Sequence, residues 1–170
     1  MMQVLVVRHA AAEPQAEAPD GTDRGRRLTD KGRRVMGEVG AGLRRVLDTL
    51  PLIAHSPLTR AEQTAAILEA TYPGADRCEL GALAPGGDDG GALLTWLAQA
   101  GTQPVALVGH EPDLSRWVGR ALVGEPCSCI ELKKAAACLL AFPDAPAPGQ
   151  ARLSGHFPPR VLRDLAEVPR

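Results

Sequence analysis

Three apolar segments of this chain end in polar side chains suited to phosphate chemistry. Met2 to Val7 runs into Arg8-His9, Leu52 to Ala54 into His55-Ser56, and Val105 to Val108 into Gly109-His110. If these segments are strands of one open α/β sheet, the residues that follow them sit in the crevice outside the strands' carboxyl ends, where ligands bind in such sheets. Arg60, one turn into a helix expected after Ser56, joins them. Two arginines, two histidines and a helix N-terminus in one crevice make an anion site. The guanidinium fork matches phosphate oxygens, and the free N–H groups of a helix start carry partial positive charge. An uncharged imidazole in the same place adds a nucleophile.

Positioning these residues requires alternating strands and helices, and the sequence supplies them. The 2–7 run is too continuous for a strand with one wet face and suits the buried middle of a parallel sheet. Residues 10–28 carry Pro, Gly, Asp and mixed charge without periodicity and predict a long surface loop, a feature that is more often functional than idle. Thr29 is the expected N-cap of a helix whose apolar stripe is Val35, Met36, Val39, Leu43, Val46 and Leu47. After a strand at 52–54, Ser56-Pro57 reads as an N-cap followed by Pro at the first helical position, opening a helix that runs to about Ala70. A weaker strand is expected at 77–80, a turn-rich loop at 85–91, a helix at 92–99 and the strand at 105–108. Pro112 then begins a helix carrying Leu114, Trp117, Val118, Ala121 and Leu122. Strands at 138–142 and 151–156 and a terminal helix at 159–167 complete the pattern. The alternation implies a three-layer α/β/α sandwich with a mostly parallel central sheet, with residues 1–170 forming a single domain.

Composition excludes several other classes. The chain has 170 residues, 45% of them hydrophobic and 23% charged, and a core of this size removes roughly 70% of the unfolded surface from water without disulfides or a structural metal. The 19 basic and 20 acidic residues give a formal charge of −1, so no overall field draws in nucleic acid or an anionic membrane. Two Trp, two Phe and one Tyr are too few for a base-stacking platform. No apolar run approaches the roughly 20 residues of a membrane span, and no leader pattern precedes the first strand, so the expected location is cytoplasmic. Cys78, Cys127, Cys129 and Cys138 lack zinc-ribbon spacing and are expected as free thiols. Cys127 also fails as a phosphatase nucleophile, because the five residues after it lead to Lys133 where a phosphate-cradling loop needs arginine.

The motifs resemble those of a known family. Val7-Arg8-His9-Ala10, Leu28-Thr29-Asp30-Lys31-Gly32, Ser56 through Thr64, and Val108-Gly109-His110-Glu111-Pro112 are similar, in order and at strand ends, to the histidine phosphatase superfamily, whose phosphoglycerate mutase branch is the best known. The short length and the run Leu83-Ala84-Pro85-Gly86-Gly87-Asp88 resemble its SixA-type phosphohistidine phosphatases. The resemblance implies a phosphoglycerate mutase-like fold, no cofactor and no metal. It implies His9 as a nucleophile that becomes phosphorylated and is then hydrolysed. Arg8, Arg60 and His110 would hold the phosphoryl oxygens, and Arg8 and Arg60 would disfavour an imidazolium at His9 by like charge. The implied partner is a phosphohistidine-bearing signalling or phosphotransfer protein, with no nucleic acid and no membrane.

Two departures from the family pattern stand out. Arg26 occupies the place of an arginine that relatives use near substrate, but Arg27 replaces the usual proline. Ala82 stands before the 83–85 run, where mutases and general phosphatases of the family use an acidic residue, leaving Glu79, Asp88 and Asp89 as nearby carboxyls and no assigned acid. A phosphoramidate substrate fits that lack, since a leaving imidazole needs less acid assistance than an alkoxide. A small-molecule phosphomonoesterase or mutase-like enzyme remains the enzymatic alternative, and a non-catalytic phosphate-binding module the other.

Plainer roles are expected elsewhere. His55 reads as a partly exposed strand-end residue and Ser56 as a helix cap. Trp96 and Trp117 read as core residues. The series Arg24, Arg26, Arg27, Lys31, Arg33, Arg34, Arg44 and Arg45 reads as a solvated face bordering the site, and Lys133-Lys134 as protection of a sheet edge.

Overall fold

The computed structural model describes residues 1–88, 91–101 and 104–169. Its centre is a six-stranded sheet of β1 (Met2–Arg8), β2 (Leu52–His55), β3 (Asp76–Glu79), β4 (Val105–Gly109), β5 (Ala137–Phe142) and β6 (Arg152–Phe157) in the order β3-β2-β4-β1-β5-β6. The first four strands run parallel, while β5 is antiparallel to β1 and β6 to β5. Helices α1 (Asp30–Val46), α2 (Thr59–Thr71) and α5 (Pro159–Glu167) pack on one face, and α3 (Ala92–Ala100) and α4 (Asp113–Val123) on the other. The result is a three-layer α/β/α sandwich with a mostly parallel sheet.

Strand alternation assigns each side chain to a layer. Val4 and Val6 of β1 meet Leu93, Leu97, Leu114 and Trp117, whereas Leu5 and Val7 meet Met36, Val39, Leu43 and Leu68. Both faces are dry, which is why the 2–7 run is continuously apolar: Val4 through Val7 are all fully buried. Each such side chain contributes about 1.5–3 kcal/mol relative to an exposed one. The same parity turns Arg8 toward the α4 layer, two positions beyond Val6.

Most boundaries fall within a residue or two of expectation, and α5 coincides with it. At α2 the difference is larger. That helix begins at Thr59 with Leu58 at its N-cap, not at Pro57 with Ser56 capping. Ser56 stays with the sheet, its N–H donating to Val108 O at 3.0 Å, and its Oγ accepts the Leu58 N–H before the helix has begun. The chain then bends at Pro57 and Leu58 before entering the helix. Thr29 does cap α1, accepting the Gly32 N–H at 3.0 Å. Lys133 and Lys134 lie in the turn before β5, an inner strand, so they guard no edge.

Two glycines of α1 separate packing from propensity. A methyl group on Gly42 would overlap the Leu162 carbonyl of α5, while one on exposed Gly37 would meet nothing within 4 Å. Gly42→Ala is expected to destabilise the fold by about 2 kcal/mol through forced separation of α1 and α5. Gly37→Ala should stabilise it by about 0.5–1 kcal/mol. Urea unfolding of both variants checks the contrast, and equal effects of the same sign would contradict it.

Candidate active site

Register builds the site. Arg8 pairs with Gly109 and His55 with Val108, so β1, β4 and β2 end level with one another. The His9 N–H donates to Gly109 O at 3.1 Å, extending that pairing by one residue. His9, His110 and Ser56, each just beyond a strand end, are thereby brought together. The two imidazole rings lie 5.0 Å apart between centroids and are tilted by 52°.

His9 is 6% exposed and has a defined tautomer. Its Nδ1 lies 2.7 Å from the Ala10 carbonyl, which can only accept, so Nδ1 carries the proton and Nε2 a lone pair. Arg60 Nε donates to that lone pair at 3.3 Å. The His9 pKa is lowered from 6.5 to about 3, chiefly by burial, against the opposing bond to Ala10; the charges of His110, Arg60 and Arg8 lower it further. Like charge from the arginines is thus the lesser cause, and removal from water the greater. His110, 3% exposed, is lowered to about 4 by burial and then by Arg60, with Asp23 opposing. Its Nε2 is 2.7 Å from Ser56 Oγ, and its buried Nδ1 has no partner.

Arg60 is buried yet charged, so it needs partners. Asp23 provides them: its backbone carbonyl accepts from Nη1 at 2.7 Å and its Oδ2 from Nη2 at 3.1 Å. Arg26 donates to the other Asp23 oxygen at 2.9 Å and to Glu13 O at 2.7 Å, so it reaches the cluster through Asp23. These bonds, Arg26 first and then Arg60, hold the Asp23 carboxyl below the usual range. Thr64 binds the two halves of the site, donating to Arg60 O at 2.7 Å and accepting the Ala10 N–H at 3.1 Å. Arg8 lies on the α4 side, with Nη1 donating to Leu132 O at 2.9 Å and a buried Nε without a partner.

Several sequence assignments change. His55 is 5% exposed, a buried residue and not a rim one, with Nδ1 2.9 Å from Ser56 O. Ser56 touches His110 where a helix cap was expected. Glu79 is exposed at the end of the sheet's edge strand. Asp88 Oδ1 accepts the Gly91 and Ala92 N–H groups at the start of α3, and Asp89 lies outside the described residues. Asp23 escaped sequence reading because an aperiodic loop gives no hint of what it folds against; the pairing Asp23-x-x-Arg26 was its one local sign. All four cysteines are free thiols. Among the described residues no three His, Cys, Asp or Glu side chains converge as a metal site requires, and no helix is long and apolar enough to cross a membrane.

The lowered histidine pKa values have a consequence for stability. In the unfolded chain both groups titrate near 6.5, while in the fold they do so at about 3 and about 4. Below pH 6.5 the unfolded state takes up protons that the native state refuses, so stability present above that pH is lost as pH falls. The slope approaches about 1.4 kcal/mol per pH unit per histidine. Urea midpoints are expected to hold from pH 8 to 7 and to drop from pH 6 to 4, less steeply in His9→Asn. A midpoint constant down to pH 4 would contradict buried neutral histidines.

Comparison with known proteins places this geometry. The model of the histidine phosphatase superfamily, branch 1, matches residues 4–76, the segment that holds His9, Asp23 and Arg60. An uncharacterized protein of Picosynechococcus sp. is 36% identical over 137 residues, 79% of this chain and 81% of that protein. Among solved structures, the protein histidine phosphatase SixA complexed with tungstate superposes with a TM-score of 0.78 at 23% identity, over 95% of this chain and 99% of that one. Phosphoserine phosphatase of Entamoeba histolytica, complexed with 3-phosphoglyceric acid, gives 0.68 at 16% identity, over 95% and 100%. A mycobacterial glucosyl-3-phosphoglycerate phosphatase gives 0.62 at 17%, over 90% and 97%. These three share the fold described above, and the segment that matches the histidine phosphatase superfamily, branch 1, carries the first half of the site.

Proposed function

We propose that this protein is a metal-independent phosphohistidine phosphatase that dephosphorylates a histidine on another protein and acts in the cytoplasm, where its free thiols stay reduced. The observation that carries the reading is the neutral, buried His9, with Nδ1–H anchored on Ala10 O and the Nε2 lone pair facing Arg60. A module that only binds phosphate has no use for an uncharged nucleophile there.

In this scheme the substrate phosphohistidine enters with its other ring nitrogen protonated. His9 Nε2 attacks phosphorus in line as the bond to the substrate imidazole breaks, and the leaving nitrogen keeps the bonding pair as its lone pair, so the substrate departs as a neutral imidazole. Water then attacks the phosphorylated His9, releasing inorganic phosphate and the free imidazole. Arg60 Nε–H shifts from Nε2 to a phosphoryl oxygen, joined by Arg8. Ser56 Oγ accepts the Leu58 N–H at 3.3 Å, leaving its own proton for His110 Nε2. His110 then bears its proton on Nδ1, the unpartnered atom, as a donor to the transferring group. The position of Glu79, exposed at the end of the edge strand, supports a leaving group that needs little acid assistance. One observation favours a second reading, a small-molecule phosphomonoesterase: Asp88 and His110 line the same cavity.

Incubation with a phosphohistidine-bearing domain and with phosphomonoesters tests both. Wild type is expected to prefer the former and to yield an acid-labile, alkali-stable phosphoenzyme, and His9→Ala should lower turnover at least about a thousandfold. Equal turnover by the variant would overturn the mechanism, and preference for phosphomonoesters would favour the second reading. With the substrate's own titration subtracted, kcat/KM should show no loss near pH 6.5 and fall only toward pH 4 and below, because protonation of His110 or His9 occurs there. Asp23→Ala, which frees Arg60, should lower kcat/KM about tenfold through loss of orientation; Asp23→Asn, retaining a side-chain oxygen acceptor, should recover part of it.

A further inference from the structure

A cavity of about 220 Å³ opens between α4 and the 82–88 loop, with His110 in its wall. The phosphoryl transfer proposed above makes no use of the rest of its lining. Asp113, Arg116, Trp117 and Arg120 line it from α4, and Asp88 lines it from the side of the loop. The carboxylates have backbone partners: Asp113 Oδ2 accepts the Gly86 N–H at 2.8 Å, and Asp88 Oδ1 accepts the Gly91 and Ala92 N–H groups at 2.9 Å each. The guanidinium groups differ, for among the described residues no carboxylate pairs with Arg116 or Arg120. Trp117 is 4% exposed and its indole N–H is buried without an acceptor. A buried donor left unpaired is unfavourable unless a ligand completes it.

We infer that this cavity receives an acidic side chain of the phosphoprotein substrate, next to its phosphohistidine. The inference rests on the phosphohistidine reading above. The exposed Arg116 and the half-buried Arg120, which no carboxylate pairs, and the unpartnered Trp117 indole N–H are all donors, while Asp88 and Asp113 of the same lining are engaged with backbone N–H groups, so the occupant must bring acceptors. The paired cationic charge selects a carboxylate over an amide. Because the His110 ring separates the cavity from the nucleophile, the carboxylate belongs to a residue directly flanking the phosphohistidine. Arg116, Arg120 and Trp117 are then specificity residues outside the reacting centre.

Phosphohistidine peptides with Glu at the flanking positions, the same peptides with Gln, and free phosphoserine are compared on wild type and on the Arg116→Gln/Arg120→Gln variant. Wild type is expected to favour the Glu peptides by about tenfold in kcat/KM, mostly through KM. In the variant the Glu-to-Gln ratio should fall toward one, and Trp117→Phe should reduce it in part. Equal turnover of Glu and Gln peptides by wild type, or a ratio unchanged in the variant, would overturn the inference while leaving the phosphohistidine reading intact. Free phosphoserine turned over faster than the Glu peptides would overturn the protein occupant. Failure to hydrolyse any of the peptides would remove the phosphohistidine reading itself, and the inference with it.

Discussion

An imidazole nitrogen stays available only if it is kept from protonating, and keeping water away from His9 is the condition on which this structure depends. Burial alone would leave a polar ring without partners, so Ala10 O takes the Nδ1 proton and Arg60 occupies Nε2. Arg60 in turn cannot be buried as a bare cation, which brings in Asp23, and Asp23 orients Arg26. Each group in this chain answers the cost of burying the one before it. The loop between β1 and α1 is thus bound to the site by electrostatic necessity as well as by its backbone.

The sheet makes this economical in geometry. Three parallel strands ending at one level present three consecutive backbone turns to the same point, so residues distant in sequence converge without long side chains. A one-residue slip of β4 against β1 would move His110 away from His9 and turn Leu107 and Val108 to the wrong layers. Core packing and site assembly are therefore enforced by the same register.

This is also why so much was legible beforehand. Strand runs flanked by charged or polar residues show in the sequence as abrupt changes of character, and Val7-Arg8-His9 and Val108-Gly109-His110 have that form. What lay outside reach were contacts made by tertiary placement. Ser56 looks like a cap by its local neighbours, but a sheet hydrogen bond to Val108 O holds it extended and hands its hydroxyl to His110. His55 ends a four-residue strand, and no local feature says that its ring is covered. Asp23 is an acidic residue in a loop until the loop folds across α2. The like-charge effect of Arg60 and Arg8 on His9 is present as the sequence implies, but the larger cause of the shift is burial, which cannot be counted in a sequence as charges can.

Asp23 bears on the proposed cycle in another way. With the site empty, Arg60 already holds an anion, the Asp23 carboxylate, on its Nη edge, so an arriving phosphoryl group shares the guanidinium with it and takes only the Nε–H. Asp23 thereby offsets part of the cationic charge around the resting site, so stray inorganic phosphate or sulfate is held less strongly than bare arginines would hold it. When product phosphate departs, the carboxylate still holds the guanidinium and the Nε–H returns to His9 Nε2, so the site regains its resting state without waiting for a counter-ion from solution.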